Sequence, residues 1–152
     1  MSENRKEMLD AIMRAMEMEK ETFDFYTSAE QKTFDPGGKH IFRWLAKTEE
    51  AHYLKLTELY NSLSAGERWV FYGGSTIPLE PEDEGAPHVG FTTGDLEALE
   101  IAMEIERKGI SYFEELAAKT TDADGRRMLE TLAGEEREHL RVIGEKRTQL
   151  KG

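Results

Sequence analysis

The sequence feature that most constrains the fold is an internal repeat. One offset of 87 residues, without a gap, relates three pairs of polar residues: Glu19 with Glu106, Glu49 with Glu136, and His52 with His139. The same offset aligns Phe25-Tyr26 with Tyr112-Phe113. Two copies are too few for a solenoid, so the repeat indicates a helix hairpin that is used twice. Two such hairpins would close a bundle with approximate two-fold symmetry.

Apolar residues recur at helical spacing in four segments of the chain. This spacing predicts helices over about 4–33, 36–64, 94–119 and 122–150. Asp35 followed by Pro36 supplies an N-cap and a first-turn proline for the second helix. Thr93 with Asp95 is expected to open the third helix, and Thr121 with Asp122 the fourth.

The stretch 65–93 between the two predicted hairpins is rich in glycine and proline. It is too long for a hairpin turn and has the length of a crossover that runs along a bundle. Two short extended segments are predicted within it, Arg68–Tyr72 and Val89–Phe91. The fold predicted for residues 1–152 is therefore one all-α domain, an antiparallel four-helix bundle made of two helix hairpins joined by a long crossover.

Each predicted helix has a core-facing row of residues, spaced by alternating steps of three and four. The rows are Ile12, Met16, Glu19, Phe23 and Tyr26; Phe42, Leu45, Glu49, His52, Leu56, Leu59 and Leu63; Leu96, Leu99, Met103, Glu106, Ile110, Phe113 and Ala117; and Leu129, Leu132, Glu136, His139 and Ile143. Every row is apolar except near its middle, where glutamate and histidine interrupt it. A buried carboxylate is costly unless a cation or hydrogen bonds compensate it.

The interrupted rows predict a metal site. Four buried glutamates would repel one another, and two divalent cations would balance their four charges. Glutamate and histidine at positions i and i+3 lie on the same helix face, so each Glu-x-x-His pair can bind from one helix. One glutamate from each of two helices plus Glu-x-x-His from each of the others is the di-metal bundle pattern. The predicted metal ligands are Glu19, Glu49, His52, Glu106, Glu136 and His139. This ligand set suits iron or manganese better than calcium.

Other polar residues receive weaker interpretations. A lone Glu-x-x-His in a chain this rich in glutamate would be read as helix surface, and only the joint pattern changes that reading. The acidic neighbours that lie off the rows are expected to face solvent: Glu17, Glu50, Glu104 and Glu135. His40 and His88 are expected to be surface histidines. Tyr26 is either a buried core tyrosine or a residue that hydrogen-bonds a ligand carboxylate or takes part in redox chemistry. Trp44 and Trp69 carry no interpretable pattern.

Composition excludes several classes of function. A formal net charge of −11 without a basic stripe argues against nucleic-acid binding. The absence of cysteine excludes disulfides, thiolate zinc sites and iron–sulfur clusters. The charged N-terminus lacks the apolar core of a signal peptide, and no apolar run is long enough to span a bilayer. We therefore expect a cytoplasmic protein without membrane or nucleic-acid partners.

Four segments of the chain resemble the rubrerythrin branch of the ferritin-like superfamily. They are residues 15–26 (AMEMEKETFDFY), 45–52 (LAKTEEAH), 104–106 (EIE) and 132–139 (LAGEEREH). The resemblance implies a ferritin-like bundle whose two iron ions reduce hydrogen peroxide, or react more slowly with dioxygen, with manganese or mixed occupancy as alternatives. It also implies that Glu49 and Glu136 bridge the metals and that Glu19 and Glu106 are terminal ligands. A homodimer is expected, since bundles of this kind often pair.

The chain departs from that family at two points. Rubrerythrins typically carry a cysteine-ligated rubredoxin domain, so turnover in this cysteine-free chain would need an external electron donor such as a rubredoxin-like protein. They also carry a glutamate where this chain has Gly109, and that glutamate exchanges with histidine as the redox state changes. His52 is accordingly expected to stay bound in both states. The rival functions are a ferroxidase or iron-handling ferritin-like protein, a non-catalytic metal-binding bundle and, with less support, a radical-forming oxygenase component.

Overall fold

A computed structural model describes residues 3–75, 77–80 and 92–151, and four α-helices account for most of them. The helices are α1 (Glu3–Lys32), α2 (Pro36–Ser64), α3 (Thr93–Lys119) and α4 (Ala123–Lys151). The predicted ranges lie within one residue of each of these bounds. None of the helices in the described part combines the length and hydrophobicity that a bilayer span requires.

Short polar side chains begin the last three helices. Asp35 accepts a hydrogen bond from the Gly38 N–H at the start of α2, with Pro36 in the first turn, as predicted. The N-cap of α3 is Thr92 rather than Thr93, because Thr92 and Asp95 bond each other's backbone N–H groups in a capping box. At the start of α4, the Asp122 carboxylate accepts from the Gly125 N–H. These bonds satisfy N–H groups that a helix start leaves without partners.

The helices pack as two hairpins, α1 with α2 and α3 with α4, which together form the predicted four-helix bundle. Their buried apolar side chains form two separate clusters. One contains Ile12, Leu56, Leu59, Phe113, Leu129 and Leu132. The other contains Tyr26, Phe42, Leu45, Leu99 and Ile143. The middle of the bundle, between these clusters, is occupied by the polar residues described below.

The described part of the crossover is held against the bundle by side chains of α2 and α4. The Trp44 indole N–H donates to the Ile77 carbonyl at 2.9 Å, and the Ser75 N–H donates to a Glu135 carboxylate oxygen at 3.1 Å. Arg68–Tyr72, predicted to be extended, forms no strand: the segment packs on helices and pairs with no strand in the described ranges. Val89–Phe91 lies outside the described residues.

Two glycines of α4 give a matched test of the packing between the crossover and the bundle. A Cβ atom on Gly125 would lie 2.6–2.8 Å from atoms of the Trp69 ring, whereas a Cβ on Gly134 would meet nothing within 4 Å. Gly134→Ala should raise the free energy of unfolding by up to about 1 kcal/mol, because alanine is the better helix former. Gly125→Ala should lower it by about 1–3 kcal/mol through overpacking. Urea unfolding of both variants measures the difference, and equal shifts of the same sign would contradict the packing of Trp69 on α4.

Candidate metal centre

The six predicted ligands converge in one buried layer at the middle of the bundle. The first helix contributes one glutamate, the second a Glu-x-x-His pair, the third one glutamate and the fourth another Glu-x-x-His pair: Glu19, Glu49, His52, Glu106, Glu136 and His139. All six are at most 4% exposed. The two-fold repeat explains why they meet, because equivalent positions of two similar hairpins face each other across the bundle axis.

The layer contains two groups of side chains that could hold metal ions. Within each group, one candidate ligand atom from every residue lies within 4.8 Å of the others. The first group is Glu19, Glu49, His52 and Glu136, and the second is Glu49, Glu106, Glu136 and His139. Glu49 and Glu136 are common to both groups. Glu19 and Glu106 each belong to one group, so the shared glutamates are the two that could contact both cations.

The two histidines approach the layer in equivalent ways. His52 Nδ1 lies 3.0 Å from Glu136 Oε1 and 3.6 Å from Glu19 Oε2. His139 Nδ1 lies 2.9 Å from Glu49 Oε1 and 3.4 Å from Glu106 Oε1. Each histidine is therefore nearest to the shared glutamate of the opposite hairpin. The two rings lie nearly parallel, with centroids 6.0 Å apart.

The outer nitrogen of each histidine has a hydrogen-bond partner. The Thr48 hydroxyl donates its only hydrogen to the Leu45 carbonyl. The same hydroxyl lies 3.0 Å from His139 Nε2, so in this second contact the hydroxyl accepts and Nε2 donates. The Glu135 carboxylate lies 3.1 Å from His52 Nε2 and, as an acceptor, takes the hydrogen of that nitrogen. In its neutral form, each ring thus carries its hydrogen on Nε2. Their Nδ1 lone pairs point into the carboxylate layer, which is the arrangement that metal-binding histidines adopt.

The residues present fit a pair of cations. Among the described residues, the buried side-chain atoms that lack a hydrogen-bond partner come from the same six side chains, one from each: Glu19 Oε2, Glu49 Oε1, His52 Nδ1, Glu106 Oε2, Glu136 Oε1 and His139 Nδ1. Buried polar atoms are nearly always paired in native proteins. Lone pairs of nitrogen facing lone pairs of carboxylate oxygen repel each other, and only a proton or a metal ion between them reverses that repulsion.

In the metal-free protein, protons take the place of metal. Burial and the negative charge of Glu49 raise the pKa of Glu19, and burial with the charges of Glu106 and Glu49 raises the pKa of Glu136. Burial lowers the pKa of His139, but the adjacent charges of Glu106 and Glu49 outweigh it and raise the pKa to about 10. The pKa of His52 is raised in the same way by Glu19 and Glu49. Metal binding would displace these protons.

The metal-free protein should therefore lose stability as the pH rises. The folded-state pKa of His139 lies near 10 against an ordinary value of 6.5, and that of His52 is also raised, so the folded chain binds protons that the unfolded chain releases. This stabilisation is complete below pH 6.5 and disappears as the pH approaches about 10. With saturating Zn²⁺ the free energy of unfolding should instead hold or increase over this range, because metal binds the deprotonated ligands.

Urea unfolding between about pH 6 and about pH 9.5, with and without Zn²⁺, measures both trends across the window set by these pKa values. His40→Gln is the control, because His40 bonds the Glu80 carbonyl outside the layer and its replacement should leave the effect of Zn²⁺ unchanged. Identical pH profiles with Zn²⁺ and with a chelator would contradict a metal site in the layer.

Tyr26 lies beside the layer with its side chain fully buried, and its hydroxyl donates to Glu106 Oε1 at 2.5 Å. Burial and the charge of Glu106 raise its pKa, so the phenol keeps its proton. Of the two interpretations of Tyr26, the structure favours the hydrogen bond to a ligand carboxylate, since a tyrosine that served only to fill the core would not contact a candidate ligand.

One prediction about the neighbouring acids was wrong. Glu17, Glu50 and Glu104 are exposed as expected, but Glu135 is half-buried and accepts hydrogen bonds from Tyr72, Ser75 and His52. These contacts lower its pKa to about 2, against the opposing effect of burial. Glu135 was missed because the row pattern places it off the core face. The crossover, which the pattern does not position, encloses it.

Thr48 and Trp44 were also missed. The Trp44 ring packs edge-on against the His139 ring, with centroids 5.1 Å apart. The repeat held a signal for Thr48 and Glu135, since both immediately precede a shared glutamate at equivalent positions. His40 lies outside the layer as expected, and His88 falls outside the described residues.

Fold and site together define a four-helix protein with buried carboxylate and imidazole groups that could hold metal. A family model described as Rubrerythrin matches residues 2–60, which cover α1 and most of α2. Over these residues the chain is similar to that family, as its motifs indicated, and the match contains Glu19, Glu49 and His52. Searches of curated proteins and of solved structures found no match. The internal repeat relates residues 102–139 to residues 15–52, which lie inside the matched segment.

Proposed function

We propose that this protein is a non-haem di-iron oxidoreductase that reduces hydrogen peroxide with electrons from an external donor. The observation that carries the proposal is the set of six unpaired ligand atoms, one from each of six buried side chains, arranged as two groups that share two glutamates. The Rubrerythrin match supports iron as the metal, with manganese or a mixed pair as alternatives. Two Fe²⁺ ions, when bound, supply the two electrons that cleave the O–O bond of peroxide.

The protein's own groups hold this centre in one geometry. Glu49 and Glu136 belong to both groups of candidate ligands, so each would be available to both metals when these are bound. The Glu135 and Thr48 contacts fix the ring orientation of His52 and His139, as hydrogen-bond partners of ligands do in metal sites. The Tyr26 hydroxyl fixes Glu106. Ligands that are held before the metal binds give up little freedom when it does.

A pocket beside the layer gives a small reactant a route to it. Its volume is about 370 Å³. It is lined from the helices by Trp44, Glu135, Glu138 and His139 and from the crossover by Ser75, Ile77 and Pro78. His139 itself is only 2% exposed, so the pocket ends at the layer without opening it to bulk water. Peroxide or dioxygen fits this space, and a polymer substrate would not reach the metals.

Gly109 distinguishes the site from that of typical rubrerythrins. A Cβ atom there would lie 3.4 Å from Glu136 Oε2, so α3 directly adjoins the shared glutamate but offers no carboxylate at this position. No side chain of α3 at that point can exchange with His52. We accordingly propose that His52 remains bound in both redox states.

The decisive test begins with metal analysis of protein purified without added metal, which should find two iron ions per chain. The reduced, anaerobic protein should then be oxidised by one equivalent of hydrogen peroxide, faster than by dioxygen, in stopped-flow absorbance measurements. Two electrons and two protons convert each peroxide to two waters, so the stoichiometry is fixed. An external reductant should restore the starting spectrum.

Glu49→Ala and Glu50→Ala form the matched pair for this test. Glu49 belongs to both groups, whereas its neighbour Glu50 is exposed. Glu49→Ala should bind less than one tenth of the iron of the wild type and lose peroxide turnover, because both positions lose a ligand. Glu50→Ala should retain both. Equal loss in the two variants would show that the layer is not the iron site.

The alternatives make different predictions in the same measurements. A ferroxidase that stores iron would react faster with dioxygen and would elute from size exclusion as a large cage, whereas the proposed enzyme elutes as a homodimer. A non-catalytic binding bundle would react with neither oxidant. A rubredoxin-like electron donor and a cytoplasmic location complete the proposal.

A further inference from the structure

The two halves of the layer differ at residues that support the ligands. The 87-residue offset that superimposes the ligands places Thr48 on Glu135 and Tyr26 on Phe113. The ligand sets are therefore equivalent, whereas these two supporting positions are not. The chemical surroundings of the two metal positions consequently differ, although the ligands themselves are the same.

Thr48 and Glu135 make the same contact with opposite histidines. Glu135 Oε1 lies 3.1 Å from His52 Nε2, and Thr48 Oγ1 lies 3.0 Å from His139 Nε2. The distances match, but one acceptor carries a negative charge and the other is a neutral hydroxyl. A carboxylate that accepts from the outer N–H of a ligand histidine makes the inner nitrogen a stronger donor to metal. His52 is therefore the more basic ligand of the two.

Glu135 is positioned for this role by the crossover. The Tyr72 hydroxyl and the Ser75 N–H both donate to it, and the Tyr72 ring packs edge-on against His52 with centroids 5.9 Å apart. Thr48 receives its orientation from its own helix, through the bond to the Leu45 carbonyl. One histidine is thus supported by a fixed charge that the crossover holds in place, and the other by a local neutral group.

The second difference between the halves, Tyr26 in one and Phe113 in the other, also favours tighter metal binding at the position with Glu19 and His52. The Tyr26 hydroxyl donates to Glu106 and withdraws electron density from that carboxylate. The equivalent residue in the repeat is Phe113, which has no hydroxyl to donate to Glu19. The group with Glu19 and His52 therefore has the stronger donors, and the group with Glu106 and His139 has the weaker ones.

We propose that the two metal positions are inequivalent, that the position formed with Glu19 and His52 binds its cation more tightly, and that Glu135 is the positioning residue responsible. The inference rests on the metal site of the proposed function but not on its peroxide chemistry. Loading should accordingly proceed in order, with the Glu19 and His52 position filling first.

A titration of the metal-free full-length protein with Zn²⁺, in competition with a chromophoric chelator, tests this directly. Zinc is redox-inert, so the readout is independent of turnover. The wild type should bind two ions in two resolved steps. Glu135→Gln should weaken the tighter step by about 10–100-fold, the usual effect of losing a hydrogen-bond partner of a metal ligand, and leave the weaker step unchanged. Glu130→Gln removes the same charge from the same helix at an exposed position, six residues before the nearest candidate ligand, and should change neither step.

Two further variants assign the steps to positions. His139→Ala should retain the tighter step, and His52→Ala should retain the weaker one. Thr48→Val, which keeps the buried shape and removes the acceptor for His139, should weaken the weaker step alone. This variant also tests the inference if Glu135→Gln does not fold, as circular dichroism of the metal-free protein would show.

The outcomes separate the inference from the proposed function. If the wild type binds no Zn²⁺, both are wrong. If it binds two ions with equal affinity, or if Glu135→Gln leaves the tighter step intact, the inference alone is wrong and the di-metal site stands. A loss of both steps in Glu135→Gln, with the metal-free fold intact, would also overturn it, because Glu135 would then support the whole layer rather than one position.

Discussion

The interaction on which the rest of the structure depends is the repulsion among four glutamates in one buried layer. Their oxygen atoms lie a few ångströms apart in a region from which water is excluded, where like charges interact most strongly. A core of this size could have been filled with leucine. The fold instead divides its apolar side chains into two clusters and places the acids between them. Such a layer is stable only with positive charge inside it, supplied by protons in the metal-free chain or by metal ions.

The need for positive charge in the layer explains the residues that surround it. Positive charge must be held at defined points, so the rings that share it need fixed orientations, and each outer nitrogen has a partner. The crossover contributes because it packs against side chains of α2 and α4 that lie beside the layer. Its contacts with Trp44 and Glu135 cover that side of the layer and leave a pocket for small molecules. The connection between the two hairpins is therefore part of the site as well as a link.

The helices, their pairing and the convergence of the six ligand side chains were predictable from the sequence, because a helical repeat determines which residues share a face. Glu135 was not predictable in this way, since its environment comes from an irregular segment whose path periodicity does not describe. Trp44 was missed for the same reason. Thr48 lies beside the row, and its bond depends on the tilt of α2 relative to α4. Comparing the residues next to the ligands in the two halves would have shown that Thr48 and Glu135 occupy equivalent positions and differ in charge.

Joining both hairpins in one chain frees the two halves to differ. A bundle assembled from two copies of a single hairpin would have identical surroundings at both ends of its symmetry axis, and any substitution would appear twice. Covalent fusion of the hairpins removes that restriction: one copy carries threonine where the other carries glutamate, and tyrosine where the other carries phenylalanine. The residues around each metal position can therefore change independently in the linked chain, while the ligands themselves stay the same in both halves.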